Sequence, residues 1–594
     1  MSYPVLQAKG SAREVIDVFA GYNHNLKIRD GEFFNTKNLT SQQYPVLANR
    51  QKRGVLSTTF TKLQAIIAKD ALYWVDNGTL YANGYATGLT GLQTTNPTQL
   101  VGMGAYICIF PDKKYINTMD LTDYGDMGAS WTYSGTVTYT MCHQDGTVYS
   151  SVSKQAEEPS SPNNGDVWVD TTDGTAKEYS SYTDSWVTIE TVYTRMDFTS
   201  QGQVTAKFSE YDGVEISGAY FPDLNGSKII YAIGGEANSQ NDYLVLIGIQ
   251  ELAYTENNAS ITVARVVPDM DYVCEAQNRL WGCFYGNDGT QNLNEIYCCA
   301  LGDFKNWSQY LGVSTDSWRA SRGSDGPWTG CVNYLGQPTF FKENVIHPVS
   351  VSSVGAHQVG DIPARGVQQG SYMSLCVVNE TLYYKSRTGV MAYQGGMPVD
   401  VSPALGDEKY YNAVAGVFGQ RYYISMKDGA NAWHFFCYDA GRGLWMHEDN
   451  FHAEYFARIG DELYAQSSNH LYALNGTTGT LESDIEWSAE TGIMYYERSQ
   501  SGRGLREVRY SSRYDFRVNM AKGSRMQLYI EYDSQGPWIF MGEIVMDRYK
   551  EQTGTFVIPV RPRRCDHLRL RLEGKGDVRI LSIARILGKG SDVR

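Results

Sequence analysis

The chain is 594 residues long and 42% hydrophobic, enough to bury a large core and to divide into several domains. Its 44 Tyr outnumber 20 Phe and accompany 59 Gly, a composition that suits short strands and tight turns better than helices. The formal charge is −14, and the ten cysteines include no C-x-x-C pair, which argues against zinc fingers and a disulfide-built scaffold.

Sustained 3.6-residue apolar periodicity is nearly absent, and Ser11 to Phe19 is the main candidate for a short helix. Met1-Ser2-Tyr3-Pro4 lacks the basic start and apolar core of a signal peptide. The longest apolar run, near Tyr243 to Ile249, is too short for a bilayer. The expectation is a chain made in a reducing cytoplasm, with free thiols acting as small hydrophobes and no membrane span.

A short phrase recurs along the chain. Leu72-Tyr73 is followed by Leu80-Tyr81, Leu382-Tyr383 by Val390-Met391, and Leu463-Tyr464 by Leu471-Tyr472. Each copy reads as a hairpin around a polar turn and closes on Asn-Gly or Gly-Gly. So short a hairpin cannot bury its apolar face alone, so its recurrence implies stacked or radial sheets. Further units begin at Ala105, Arg279, Pro338 and Arg421, for a total of roughly seven. The fold expected is all-β: an irregular β-propeller of about 6–8 blades, with an inserted β domain and a C-terminal β-sandwich.

The boundaries read from texture place the N-terminal segment and first blades in 1–124, and an inserted β domain in 125–266. The remaining blades fall in 267–482 and a basic β-sandwich in 483–594. Within the insertion, 155–190 starts with a Pro/Ser/Asn linker and continues as a small three-stranded module carrying Trp168, Tyr179, Tyr182 and Trp186. These aromatics are candidates for surface binding. The core of a tiny sheet is the stronger reading, because few other residues can fill it.

Charge divides unevenly. Residues 503–594 hold 19 Lys+Arg against 11 Asp+Glu, leaving the rest of the chain 32 basic and 54 acidic residues. A basic terminal domain on an acidic body implies an electrostatic partner or a complementary face in its own assembly. Candidate contacts are Arg561, Arg563, Arg564, Arg569 and Arg571. On a strand, Arg569 and Arg571 share one face and Leu568, Leu570 and Leu572 the other. No aromatic alternates with these arginines as single-strand stacking would require, so an intersubunit seam is favoured over a phosphate stripe.

No metal pattern, P-loop or nucleophile elbow is present, so no catalytic, metal or cofactor residue is assigned. His434, His447 and His452 lie close in sequence beside Glu448-Asp449, which reads as a turn before it reads as a site. Ser324-Asp325-Gly326-Pro327-Trp328-Thr329 is a single, poorly spaced approach to the Asp box of sialidase propellers.

Several segments carry a resemblance: Asn25 to Phe34, Tyr44 to Leu47, Pro268 to Glu275, Asn278 to Gly282, Leu301 to Trp307, and Pro559 to His567. Together they resemble the nozzle (tail tubular) and packaged-DNA stabilisation proteins of short-tailed bacteriophages. The resemblance implies a non-enzymatic virion tail protein forming a homo-hexameric ring. That ring would sit with portal and adaptor (head-to-tail connector) proteins and with tail fibres or other tail proteins. It would retain genomic double-stranded DNA and conduct it during ejection, without specific binding and without a cofactor. Two alternatives stay open: a propeller lectin or adhesin, and a propeller glycosidase acting on host-surface polysaccharide.

Overall fold

In a computed structural model, residues 11–95, 97–235, 241–249, 252–351, 356–495, 509–548, 551–563 and 565–589 are described. Among them, strands dominate and the helical content is three single-turn 3-10 segments. No helix among the described residues is long and apolar enough to cross a membrane.

The propeller is built from four-stranded antiparallel blades, seven among the described residues, lettered A to G in chain order. Each of the seven units read from sequence falls in one of them. Blade A contains Leu63–Ala68, Leu72–Asp76, Thr79–Ala82 and Tyr85–Ala86. The repeated phrase forms its central hairpin, in which Tyr73 faces Ala82 and Asp76 faces Thr79. Asn77 and Gly78, both at positive φ, make the turn.

The chain divides into two compact units. The first comprises 1–86, 341–346 and 362–594 and holds blades A, E, F and G with the terminal sheets. Blade E opens on Cys376–Val378 and blade F on Tyr410–Phe418. Blade G takes Tyr455–Ile459, Glu462–Ser467 and His470–Ala473 from late in the chain, and its outer strand, Gly54–Thr59, from early in it. Two terminal sheets share one core with blades F and G, including Phe33, Trp487, Tyr514, Phe516, Leu528 and Leu570. N-terminal strands are woven into these sheets: Glu32–Lys37 pairs with Glu486–Thr491, and Ser11–Ile16 with Val578–Lys589. The last pairing corrects the helix expected at Ser11 to Phe19. Ser11 to Ile16 run antiparallel to Gly588 to Ile583, so a long-range ladder overrides the local pattern.

The second unit comprises 87–340 and 347–361 and holds blades B, C and D with the insertion. Blade B opens on Gln99–Met103, blade C on Tyr272–Ala276 and blade D on Gly330–Tyr334. The insertion leaves after blade B as Ala129–Cys142 and returns as Tyr254–Arg265, adjacent strands of a seven-stranded sheet. Val137, Tyr139, Met196, Phe198, Leu244 and Ile261 fill its core. The small module has three strands within 155–190, Val167–Asp170, Ala176–Ser180 and Ser185–Thr188, and a fourth joins them from just before it. Val152–Gln155 adds in parallel to Val167–Asp170, a long-range pairing that no hairpin signal announces.

Candidate functional site

In the first unit, five antiparallel strands run Glu32–Lys37, Glu486–Thr491, His567–Lys575, Arg525–Tyr532, Ile539–Val545. Their two-residue alternation sends Ala489, Leu528, Leu570 and Leu572 into the core and leaves a polar opposite face. Register then places charges side by side. One row reads Lys37, Ser488, Glu573, Gln527, Glu543, and the next reads Glu486, Lys575, Arg525.

These rows line a cleft of about 280 Å³. Four cations (Lys37, Arg525, Arg571, Lys575) and two carboxylates (Glu486, Glu573) surround it. Arg571 pairs with Glu573. Trp487 lies against the cleft with its indole buried, and its Nε1 finds no hydrogen-bond acceptor among the described residues. Gly574 lets that indole approach the strand, since a Cβ there would fall 2.3 Å from the ring.

The sequence-predicted arginines divide. Arg569 donates to Glu490 and, at 3.2 Å, to Glu531, with its guanidinium 5.4 Å from the centre of the Trp538 ring. Arg569 and Arg571 are thus both paired within the chain. Arg561 is exposed, and Arg563 donates to Gln535 and lies over Tyr532. Arg564 lies outside the described residues.

The predicted aromatics divide too. Trp168 is buried, donates its Nε1–H to Gln155 O and carries Lys177 Nζ 4.5 Å above its ring. Trp186 packs on Trp168 and Tyr179, and its Nε1–H donates to Glu158. These three form one packed cluster, while Tyr182 stands in solvent at 96% exposure.

Among the histidines, His434 and His447 meet at 3.4 Å across neighbouring strands, and Asp428 binds the far nitrogen of His434. His452 instead stacks on Trp433. Glu448 and Asp449 meet Arg53 rather than the histidines. Among the described residues no group of three or more His, Cys, Asp or Glu is placed to hold a metal ion.

One constellation in the second unit escaped sequence reading. Ser324 Oγ lies 3.0 Å from His347 Nε2, and His347 Nδ1 lies 2.6 Å from Asp361 Oδ1. Ser324 and Asp361 sit on loops and His347 on a blade strand, so no local motif joins them. The only signal was Ser324 itself, the first residue of the imperfect Asp box.

No protein-family model and no curated protein matches the chain. Solved structures do. An exo-β-1,3-galactanase from Phanerochaete chrysosporium is 7% identical, over 52% of this chain and 94% of its own, with a TM-score of 0.21. A family 43 arabinoxylan arabinofuranohydrolase from Bacillus subtilis is 9% identical, over 54% and 95%, at 0.17. A Trypanosoma rangeli sialidase is 8% identical, over 98% and 96%, at 0.20. Glycoside hydrolases are thus among the matching structures, alongside the extracellular domain of a putative hybrid two-component system from B. thetaiotaomicron and a Bacillus thuringiensis Cry1Da core. The expectations of a DNA-conducting nozzle and of a chain that is not an enzyme are corrected accordingly. Similarity this low assigns no residue of this chain a role.

Proposed function

We propose that the chain is a glycan-engaging β-propeller protein whose terminal-sheet cleft takes an acidic polysaccharide. The observation that carries this reading is the mixed lining of the cleft. Sugar hydroxyls need acceptors as well as donors, and Glu486 and Glu573 accept where the ammonium and guanidinium groups donate. Four cations against two carboxylates leave a positive excess for an acidic sugar. A bare phosphate would gain nothing from the two carboxylates.

A second reading, hydrolysis at the same cleft, is favoured by the register. Glu486 pairs with Lys575 and Ser488 with Glu573, so the two glutamates are diagonal neighbours. Diagonal backbone positions stand roughly 7–8 Å apart, close enough for both carboxyl groups to face one cleft, as the acid and base of a glycosidase must.

Calorimetric titration with polygalacturonate and with neutral dextran tests binding. Polygalacturonate should bind, dextran should not, and Arg525→Ala with Lys575→Ala should weaken binding at least about tenfold. Equal binding of both polymers, or no binding of polygalacturonate, would overturn the reading. Release of reducing ends, abolished in Glu573→Gln, would add hydrolysis to binding.

A further inference from the structure

We propose that Ser324, His347 and Asp361 form a nucleophilic triad that hydrolyses carboxylic esters with small acyl groups. This activity is independent of the cleft and of the glycan reading.

The geometry fixes the protonation pattern. His347 Nδ1 faces only acceptors, Asp361 Oδ1 at 2.6 Å and Gly360 O at 3.3 Å, so it carries the hydrogen. Nε2 is then left with its lone pair toward Ser324 Oγ, which donates to it at 3.0 Å. That tautomer is the one a general base requires. Burial lowers the imidazole pKa from its ordinary value, while Asp361 works in the opposite direction, so the ring is neutral at neutral pH. Nε2 is therefore free to take a proton.

The supports are specific. Arg322 Nη2 donates to both oxygens of Asp361 at 2.7 Å, which orients the carboxylate. The imidazole and the Trp328 ring meet in a T-shaped contact, 5.3 Å between centroids. Asn294 Nδ2 donates to the carbonyls of Arg322 and Ser324 and pins the loop. His347 is 1% exposed, whereas Ser324 is partly open to solvent. Side chains built on its loop neighbours Gly323 and Gly326 would meet nothing within 4 Å, so an acyl group has room to approach.

The step balances without a co-reactant other than water. Ser324 Oγ bonds to the ester carbonyl carbon as its proton passes to His347 Nε2. The tetrahedral adduct collapses, the C–O bond to the alcohol breaks, and Nε2–H protonates the departing oxygen. Water then attacks the acyl-serine, giving its proton to Nε2, and Ser324 leaves with that proton restored. The net change is ester plus water to acid plus alcohol.

A fluorophosphonate probe with peptide mass spectrometry tests the nucleophile. One adduct on Ser324 is expected, together with 4-nitrophenyl acetate turnover that falls at least about 100-fold in Ser324→Ala. No adduct on Ser324, or equal turnover in the variant, would overturn the proposal. Asp361 is a positioning residue, and Asp361→Asn, made at a half-exposed position that should not disturb folding, reads its role. Because Asp361 raises the pKa of His347, the acid limb of the rate profile should move to lower pH in that variant. An unmoved limb would mean that Asp361 has no part in the chemistry.

Discussion

Val55 lies opposite Tyr472, so a strand from the start of the chain completes a blade made more than four hundred residues later. Next to it, Gly54 faces Ala473 and Leu481 at once. Its neighbour on the open side is the Thr478 carbonyl, which a Cβ at residue 54 would approach to 1.8 Å. Gly54→Ala should therefore cost about 1–3 kcal/mol by forcing the backbones apart. Gly429→Ala, where a Cβ meets nothing within 4 Å, should be nearly neutral. Urea unfolding of the two variants compares them directly; equal midpoints would show that the closure tolerates a side chain.

The blades were legible because each carries its own hairpin signal, as at Asp76-Asn77-Gly78 and Thr79, where turn chemistry and alternation agree within a dozen residues. Pairings of high sequence separation were not. Ser11 to Ile16 has no local reason to be a strand until Val578–Lys589 is beside it. The same holds for the sites. The shared face of Arg569 and Arg571 follows from period-2 alternation, but Lys37 reaches the cleft that Arg571 lines only through the pairing with Ser488. Ser324, His347 and Asp361 belong to separate elements, and hydrogen bonds rather than spacing unite them.

Arg53 joins Asp449 at 2.6 Å and Glu448 at 3.0 Å, with Phe451 under its guanidinium. Burial opposes all three charges. It pushes the Glu448 carboxyl up despite Arg53, whereas for Asp449 burial is the largest single effect but Arg53, Arg50 and the Phe451 N–H together outweigh it and hold the carboxyl down. Arg53→Met should leave buried Glu448 without its ion-pair partner and Asp449 with only Arg50, at 3.5 Å, and destabilise by about 3–5 kcal/mol. The loss should change little between low and high salt, because the pair is screened from solvent. A strongly salt-dependent loss would place the interaction at the surface.

All ten cysteines are free thiols, eight of them buried. Burial pushes Cys142, Cys298 and Cys376 up to about 12, so almost none of these is thiolate near neutral pH. Titration with a chromogenic disulfide at pH 8 should find at most the two partly exposed thiols, Cys331 and Cys376, and these slowly, with all ten reacting in guanidinium. Rapid native reaction of more than two would contradict this packing.

His447 sets an acid limit to stability. Its Nδ1–H donates to Thr36 O at 3.0 Å, and its ring packs among Tyr22, His434 and Phe436. Burial pulls its pKa down to about 4, with the nearby His434 and His24 acting in the same direction and Thr36 and Asp449 against it. In the unfolded chain the imidazole titrates near about 6.5. Between these values the unfolded state binds the extra proton, so stability is full above pH 6.5 and falls as the pH drops toward 4. The loss attributable to this group is up to about 3 kcal/mol. His447→Gln keeps a side-chain N–H for Thr36 and removes the titration. Its melting temperature should therefore decline less than that of the parent between pH 7 and pH 4.5, and the gap between the two curves isolates His447 from carboxylates that titrate in both. Parallel curves would show that the imidazole charges freely in the folded protein.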